Sequence, residues 1–240
     1  MTYCVGLLLN AGMVFLSDTR TNAGVDNIAT FRKQFVFCEP GERIIVIQTA
    51  GSLSVTQTVM AKLTEAIDEP DSAPEFSIMQ APSMLRVAEM VGQLLSDVTA
   101  EISAKVNRMS QSATASMIVG GQRKGGRERM FLLYPEGNFI EATEDTPYLQ
   151  IGEHKYGKPI LDRVVTPDTS LDDARKAALL SMDSTLRSNL SVGMPLDLLM
   201  LRRDECDIAE QTRIEAGDAD FAAMSDAWSE ALRTSFKNIP

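Results

Sequence analysis

Three short stretches of this chain are apolar at every position: Leu7-Leu8-Leu9, Met13-Val14-Phe15-Leu16 and Ile44-Ile45-Val46-Ile47. A strand with one wet face would alternate apolar and polar residues, so unbroken runs mean strands covered on both faces. The sheets must therefore be sandwiched. The first two runs flank Asn10-Ala11-Gly12, residues that tolerate positive φ, so Tyr3 to Leu9 and Met13 to Ser17 read as an antiparallel hairpin. Pairing Leu9 with Met13 sets Asp18 opposite Cys4, and side chains two apart share a face, which brings the Asp18 carboxylate near Thr2.

The rest of the chain supplies the cover. Gln34 to Cys38 and Arg43 to Ala50 form a second strand pair around the turn Glu39-Pro40-Gly41-Glu42. Ser52 is placed to cap a helix carrying Thr56, Val59, Met60, Leu63 and Ile67 on one side and ending before Pro70. A second helix is expected from about Met84 to Val106, with Ala88, Val91, Leu95, Val98 and Ile102 on one face. Ser116 to Gly120 and Met130 to Tyr134 follow as strands joined by a basic, glycine-rich tip, Gly121 to Arg127, which lacks the order of a phosphate loop. Phe139 to Ala142 and Tyr148 to Ile151 are expected to continue that sheet, Ser170 to open a third long helix with a capping box, and Leu196 to Leu201 to return as a last core strand. A final amphipathic helix, about 218–237, carries Phe221, Met224, Trp228 and Leu232 at spacings of three and four. Its stripe suits packing on its own domain or contact with another subunit equally well. Strands, helices, strands and helices in this order predict an α+β fold, a four-layer αββα sandwich of two antiparallel sheets with an added C-terminal helix, in one domain over 1–240.

Composition narrows the function. A formal charge of −10 argues against nucleic-acid backbone as a partner. Cys4, Cys38 and Cys206 are scattered without a C-x-x-C pair, which suggests neither a zinc site nor a disulfide framework and points to a reducing cytoplasm. No cofactor and no metal is called for. The apolar opening has no basic flank, and no segment reaches the roughly 20 apolar residues that span a bilayer, so no membrane partner is expected.

Met1 precedes a small residue, a circumstance in which the initiator methionine can be excised to leave Thr2 first. A terminal threonine carries its own base, because its free α-amine, with a pKa of about 7.7 to 8.0, can take the hydroxyl proton directly or through a water. Taken alone, a Met-Thr start is more often incidental. Beyond it stand Ser17-Asp18-Thr19-Arg20-Thr21-Asn22-Ala23-Gly24, then Lys33, then Thr49-Ala50-Gly51-Ser52 where a strand gives way to a helix. This series resembles proteasome β-subunits, and within them the Anbu family, the ancestral β-subunits, whose pattern is matched by Met1 to Gly6, by Asp18 to Asp26, and by Ile151-Gly152-Glu153 with Lys155 to Pro159.

The resemblance covers essentially the whole chain and implies the N-terminal-nucleophile hydrolase fold, with Thr2 at the mouth of a cleft between sheets. It implies a threonine peptidase in which Thr2 Oγ1 attacks an amide carbonyl, Lys33 lowers the hydroxyl's pKa, and Asp18 holds Lys33 charged. Gly51 would offer its N–H to the oxyanion, Thr49 and Leu53 would flank the side-chain pocket, and Asn22 and Ala23 would offer backbone to an extended peptide. Typical subunits carry an Asp-x-x-Ser and a Gly-Ser-Gly near the site. Here Arg187 to Gly193 lacks the aspartate, leaving Ser191 as the supporting hydroxyl with Asn189 or Ser188 in place of the acid, while Glu153 or His154 stands where a serine is expected. Alternatives are an amidohydrolase of one small or modified amide, or a silent assembly subunit that keeps Met1. A homo-oligomer, closed ring or open spiral, is implied; no loop identifies an ATPase partner.

Overall fold

A computed structural model describes residues 1–22, 28–71, 73–106 and 113–239. The opening hairpin forms as β1 (Tyr3–Leu9) and β2 (Gly12–Asp18). Its register differs by one from the expectation: Gly12 already belongs to the ladder opposite Leu9, so Met13 faces Leu8 and Cys4 faces Ser17. The loop is Asn10-Ala11 alone, and Asp18 lies one step beyond the Cys4–Ser17 pair instead of opposite Cys4. A short ribbon, β3 (Arg20–Asn22) with β4 (Ile28–Thr30), leads to β5 (Gln34–Glu39) and β6 (Arg43–Gly51).

Helices α1 (Leu53–Asp68) and α2 (Met84–Val106) follow, the second with the bounds that its periodicity predicts. Ser52 occupies the N-cap position of α1, yet its hydroxyl pairs with Ser54 Oγ at 3.0 Å and caps no backbone N–H. Strands β7 (Ala115–Arg123), β8 (Arg129–Leu133), β9 (Phe139–Glu141) and β10 (Tyr148–Gly152) come next, then α3 (Lys158–Val164) and α4 (Leu171–Ser188). Ser170 caps α4 as expected, Asp173 N–H donating to Ser170 Oγ at 3.2 Å, and it is the Ser170 hydroxyl, in place of its backbone N–H, that donates to Asp173 Oδ2 at 3.1 Å. The chain ends with β11 (Leu196–Arg202), β12 (Ile208–Ile214) and α5 (Ala219–Asn238), whose N-cap is Asp218.

The strands make two antiparallel five-stranded sheets, ordered β10-β1-β2-β11-β12 and β5-β6-β7-β8-β9. Two expectations are corrected here. Tyr148 to Ile151 does not continue the sheet of β8 and β9 but crosses to pair with β1, and Leu196 to Leu201 is followed by a further strand, β12, at the sheet edge. Residues from both sheets meet in a core containing Cys4, Met13, Phe15, Val46, Ile118, Met130 and Leu199. The opposite face of the β5–β9 sheet packs on α1 and α2 through Ile45, Ile47, Val59, Leu63 and Val91. The opposite face of the β1–β2 sheet packs on α3 and α4 through Tyr3, Leu7, Leu16, Leu161 and Met182. These are the four layers that the unbroken apolar runs require, each fully buried Leu, Ile or Val contributing about 1.5–3 kcal/mol. The first half of α5 joins this outer core through Phe221 and Met224, whereas Leu232 and Phe236 in its second half are exposed. Buried Gln48 crosses between the sheets, its amide donating to Leu16 O at 3.1 Å and Gln34 Oε1 at 2.8 Å.

Candidate active site

One end of the sandwich gathers the residues that the sequence singles out. Thr2 precedes β1, Lys33 precedes β5, Thr49 to Gly51 close β6, Leu53 opens α1, and Gly152 ends β10; together with Met1, Thr21, Arg32, Ala50 and Thr56 they line a cleft of about 320 Å³. Larger grooves lie along α1 and between α4 and α5, at about 670 and 740 Å³, but neither is lined by Thr2 or Lys33. Chemistry, not size, distinguishes the smaller cleft.

Asp18 is fully buried at its centre of charge. Its Oδ1 accepts from Lys33 Nζ at 2.8 Å and from the Tyr3 N–H at 3.0 Å, and its Oδ2 accepts from the Gly193 N–H at 3.2 Å. The acid therefore meets the chain start through a backbone amide, although the register that first suggested their proximity is shifted. Burial pushes the Asp18 carboxyl above the ordinary carboxylate range, while the Lys33 ammonium and the two N–H donors push it back. Lys33, itself buried, donates also to Arg20 O at 2.5 Å, so its ammonium is fixed by one charge and one dipole. Its backbone carbonyl accepts from the Thr49 N–H at 2.8 Å and from Thr49 Oγ1 at 3.5 Å, which ties β6 to the lysine. Thr49 is thus buried against Lys33 as well as lining the cleft, and Leu53 is half-buried beside it.

Thr2 is held by its carbonyl, which accepts from the Glu153 N–H at 2.6 Å. Gly152 makes this approach feasible: its φ is +82°, and a Cβ there would stand 2.0 Å from Thr2 O. Gly51, with φ +106°, lines the cleft where β6 turns into α1. The amine at Met1 lies below its ordinary range, first through burial and then through the Lys33 charge, with Asp18 and Glu153 acting the other way.

The 189–193 segment packs against the same acid. Gly193 donates to Asp18, the Ser191 N–H donates to Asn189 Oδ1 at 2.9 Å, and Asn189 Nδ2 donates to Glu153 Oε2 at 3.1 Å. Among the described residues, Ser191 is thus engaged through its backbone, and its hydroxyl is not brought into a hydrogen bond with Thr2. Asn189 rather than exposed Ser188 reaches the site, and Glu153 is buried while His154 is exposed, its Nδ1 lying 3.3 Å from Gly152 O. Asn22 lies in β3, and Ala23 falls outside the described residues.

Sequence reasoning missed Arg20. Its carbonyl receives Lys33, its Nη1 donates to Leu190 O at 3.0 Å, and its guanidinium covers Gly193 so closely that a Cβ there would come 2.1 Å from Nε. Its position two residues after Asp18 was the available signal.

No known family model matches the sequence. The chain is 32% identical to proteasome subunit beta 1 of Hyperthermus butylicus over 102 residues, which cover 40% of this chain and only 47% of that subunit. Against proteasome subunit beta 2 of Pyrobaculum calidifontis, the identity is 23% over 201 residues, 83% of this chain and 88% of the other. Solved structures are nearer. A mutant of Anbu from Hyphomicrobium sp. strain MC1 superposes with a TM-score of 0.92 at 48% identity, covering 100% of this chain and 98% of that one. Anbu from Yersinia bercovieri gives 0.91 at 45% identity, with 99% and 97% covered. The helical assembly of the Anbu complex from Pseudomonas aeruginosa gives 0.89 at 45%, again with 99% and 97% covered. With full-length identity at this level and the proteasome-like αββα architecture, the chain belongs to the Anbu (ancestral beta-subunit) family.

Proposed function

We propose that this protein is a threonine-type N-terminal-nucleophile peptidase whose nucleophile is Thr2 after removal of Met1. The observation that carries the reading is the buried Asp18–Lys33 pair, 2.8 Å apart with side chains 0% and 6% exposed, whose lysine lines the same cleft as Thr2. A buried pair of this kind is a weak source of stability, since desolvation offsets much of the attraction. The cleft that Lys33 shares with Thr2 gives the pair a chemical use.

In this mechanism, Thr2 Oγ1 attacks the carbonyl carbon of an extended peptide as its proton passes to the Thr2 α-amine. The Lys33 ammonium, paired with Asp18, lowers the cost of negative charge on Oγ1. The Gly51 N–H faces the developing oxyanion, a donor whose loss typically costs about 2.7–4 kcal/mol. The ammonium then returns its proton to the leaving nitrogen as the C–N bond breaks, leaving an ester on Thr2. Water attacks that ester as the amine takes its proton; the bond from the carbonyl carbon to Oγ1 then breaks, the ammonium returns the proton to Oγ1, and the carboxylic acid leaves. Ser191 supports the amine side of the site, Thr49 and Leu53 flank the pocket for the substrate side chain, and backbone at Asn22 and Ala23 receives the peptide as an added strand.

The unit is one proteasome-β-like domain acting in a cytoplasmic homo-oligomer. The helical assembly of the Pseudomonas aeruginosa relative favours an open spiral over a closed ring. Among the described residues, no helix is long and apolar enough to cross a membrane. The test is turnover of a peptide library by the assembled protein beside Thr2→Ala: cleavage by the former alone supports the reading, and equal cleavage by both removes it.

A further inference from the structure

Glu153 is a charge-bearing side chain that the mechanism above leaves unused. It is 6% exposed, follows the glycine that lets β10 press on Thr2, and holds the Thr2 carbonyl through its own N–H at 2.6 Å. One carboxylate oxygen, Oε2, accepts from Asn189 Nδ2. The other, Oε1, is buried and has no hydrogen-bond partner among the described residues; Lys155 Nζ, at 3.8 Å and on a side chain 72% exposed, is too far to serve. A buried carboxylate oxygen left unpartnered is costly, and such an atom in a site usually awaits a donor.

The donor that the site would acquire is the free amine of Thr2. Charges facing this point are Arg32 and Lys33 ahead of β5, Asp18 at the end of β2, and Lys155 and Glu153 itself after β10; the end of α4 contributes the neutral Asn189 amide. Asp18 already accepts from Lys33 and two backbone N–H groups, so each of its oxygens has a donor. Lys33 disfavours an ammonium, and Glu153 is the carboxylate with an oxygen to spare. The start of the chain already senses it: burial and then Lys33 lower the affinity of the Met1 amine for its proton, and Asp18 and, after it, Glu153 raise it.

We infer that Glu153, anchored at Oε2 by Asn189, presents Oε1 to the Thr2 α-amine and holds the ammonium that this amine becomes during acylation. It is a positioning residue acting through the base, and the inference rests on the Thr2 nucleophile reading. Asn189 complements it, since its Nδ2 fixes Glu153 while its Oδ1 orders the Ser191 N–H, so one amide couples the end of α4 to the end of β10. The acid of the site is thereby moved from the segment after α4 to the segment after β10.

The test is the rate at which a β-lactone acylates Thr2, read by intact mass across pH, in full-length chains released with Thr2 first. The rate rises with pH as the amine loses its proton. Removing a nearby negative charge lowers the pKa of an ammonium, so Glu153→Gln is expected to move the rising limb about one unit toward lower pH. Loss of the partner of the charged amine is expected to lower the plateau about tenfold. Glu153→Ala removes the same charge and serves if the glutamine variant does not fold. The exchange E153Q with N189D, which returns a carboxylate to the other side of the pair, is expected to bring the limb back toward wild type. A limb that stays in place in a folded Glu153 variant, with only the plateau or the melting temperature reduced, overturns the inference and leaves the nucleophile intact. A wild-type chain with Thr2 free that takes up no lactone at any pH removes the underlying reading and this inference with it.

Discussion

The two ends of the sandwich carry the same chemical parts in opposite surroundings. At the Thr2 end, Lys33 meets Asp18 at 2.8 Å with side chains 6% and 0% exposed; at the hairpin end, Lys124 meets Glu42 at 2.6 Å with side chains 68% and 52% exposed. Gly152 and Gly125 both take left-handed backbone, at φ +82° and +71°, yet a Cβ on Gly152 would strike Thr2 O whereas, among the described residues, nothing lies within 4 Å of one on Gly125. Distance and dihedral alone do not separate the two pairs. Burial and the identity of the neighbour do, because water screens the exposed pair and leaves the buried one largely unscreened.

Substitutions at matched positions sharpen this contrast. The largest effect is expected for Thr2→Ala, which should abolish peptide cleavage and lactone uptake while leaving assembly unchanged by native mass measurement; loss of the assembly would contradict the separation of roles. Lys33→Ala should lose nearly all of the activity and, by stranding a buried carboxylate, cost about 3–5 kcal/mol in a urea melt near neutrality. Its pH dependence has a definite sign. Burial raises the folded-state pKa of Asp18 even beside Lys33, and removing the lysine raises it further. The folded variant then binds the Asp18 proton more tightly than the unfolded chain, so its stability falls as pH rises from the ordinary Asp value of about 3.9. The deficit of Lys33→Ala relative to wild type should accordingly be smaller in acid than at neutrality. Equal deficits at both would show that Asp18 is not left charged and alone.

Smaller effects come from the glycines. Gly152→Ala and Gly125→Ala should each lose about 1–2 kcal/mol for left-handed backbone, but only the former should also displace Thr2 and suppress lactone uptake. Smallest of all, Lys124→Ala should leave both the melting temperature and lactone uptake where they were, since its ion pair is solvated. A measurable loss there would erase the distinction between the two ends.

The sequence disclosed the buried parts of the fold better than its margins, for a physical reason. Runs such as Ile44 to Ile47 and the spacing from Ala88 to Ile102 encode burial directly, so β6 and α2 were legible. Strand β12 was not, because Ile208–Ile214 is an edge strand whose middle, Glu210-Gln211-Thr212-Arg213, is polar and half-exposed to exposed. Helix α3 spans only Lys158–Val164 with Pro159 in its first turn, too short for a periodicity to emerge. The hairpin register was misread because Gly12 passes for a turn residue, whereas it lies in the ladder where β11 comes close enough that a Cβ would stand 2.1 Å from Leu201 O.

The site divides similarly. Thr2, Asp18, Lys33, Thr49, Gly51 and Leu53 are near one another in sequence or bear a recognisable pattern, and the fold brings them to one cleft or its wall. The Glu153–Asn189 contact joins residues 36 apart that no local pattern links. The carbonyl of Arg20 leaves no mark in a sequence, because every residue has one.

The most direct measurement is the intact mass of the purified protein before and after exposure to a threonine-directed epoxyketone. The account predicts a chain lacking Met1 that gains a single adduct, mapped to Thr2 by fragmentation. A chain that retains Met1 and gains none would contradict it and leave a subunit that assembles without a nucleophile.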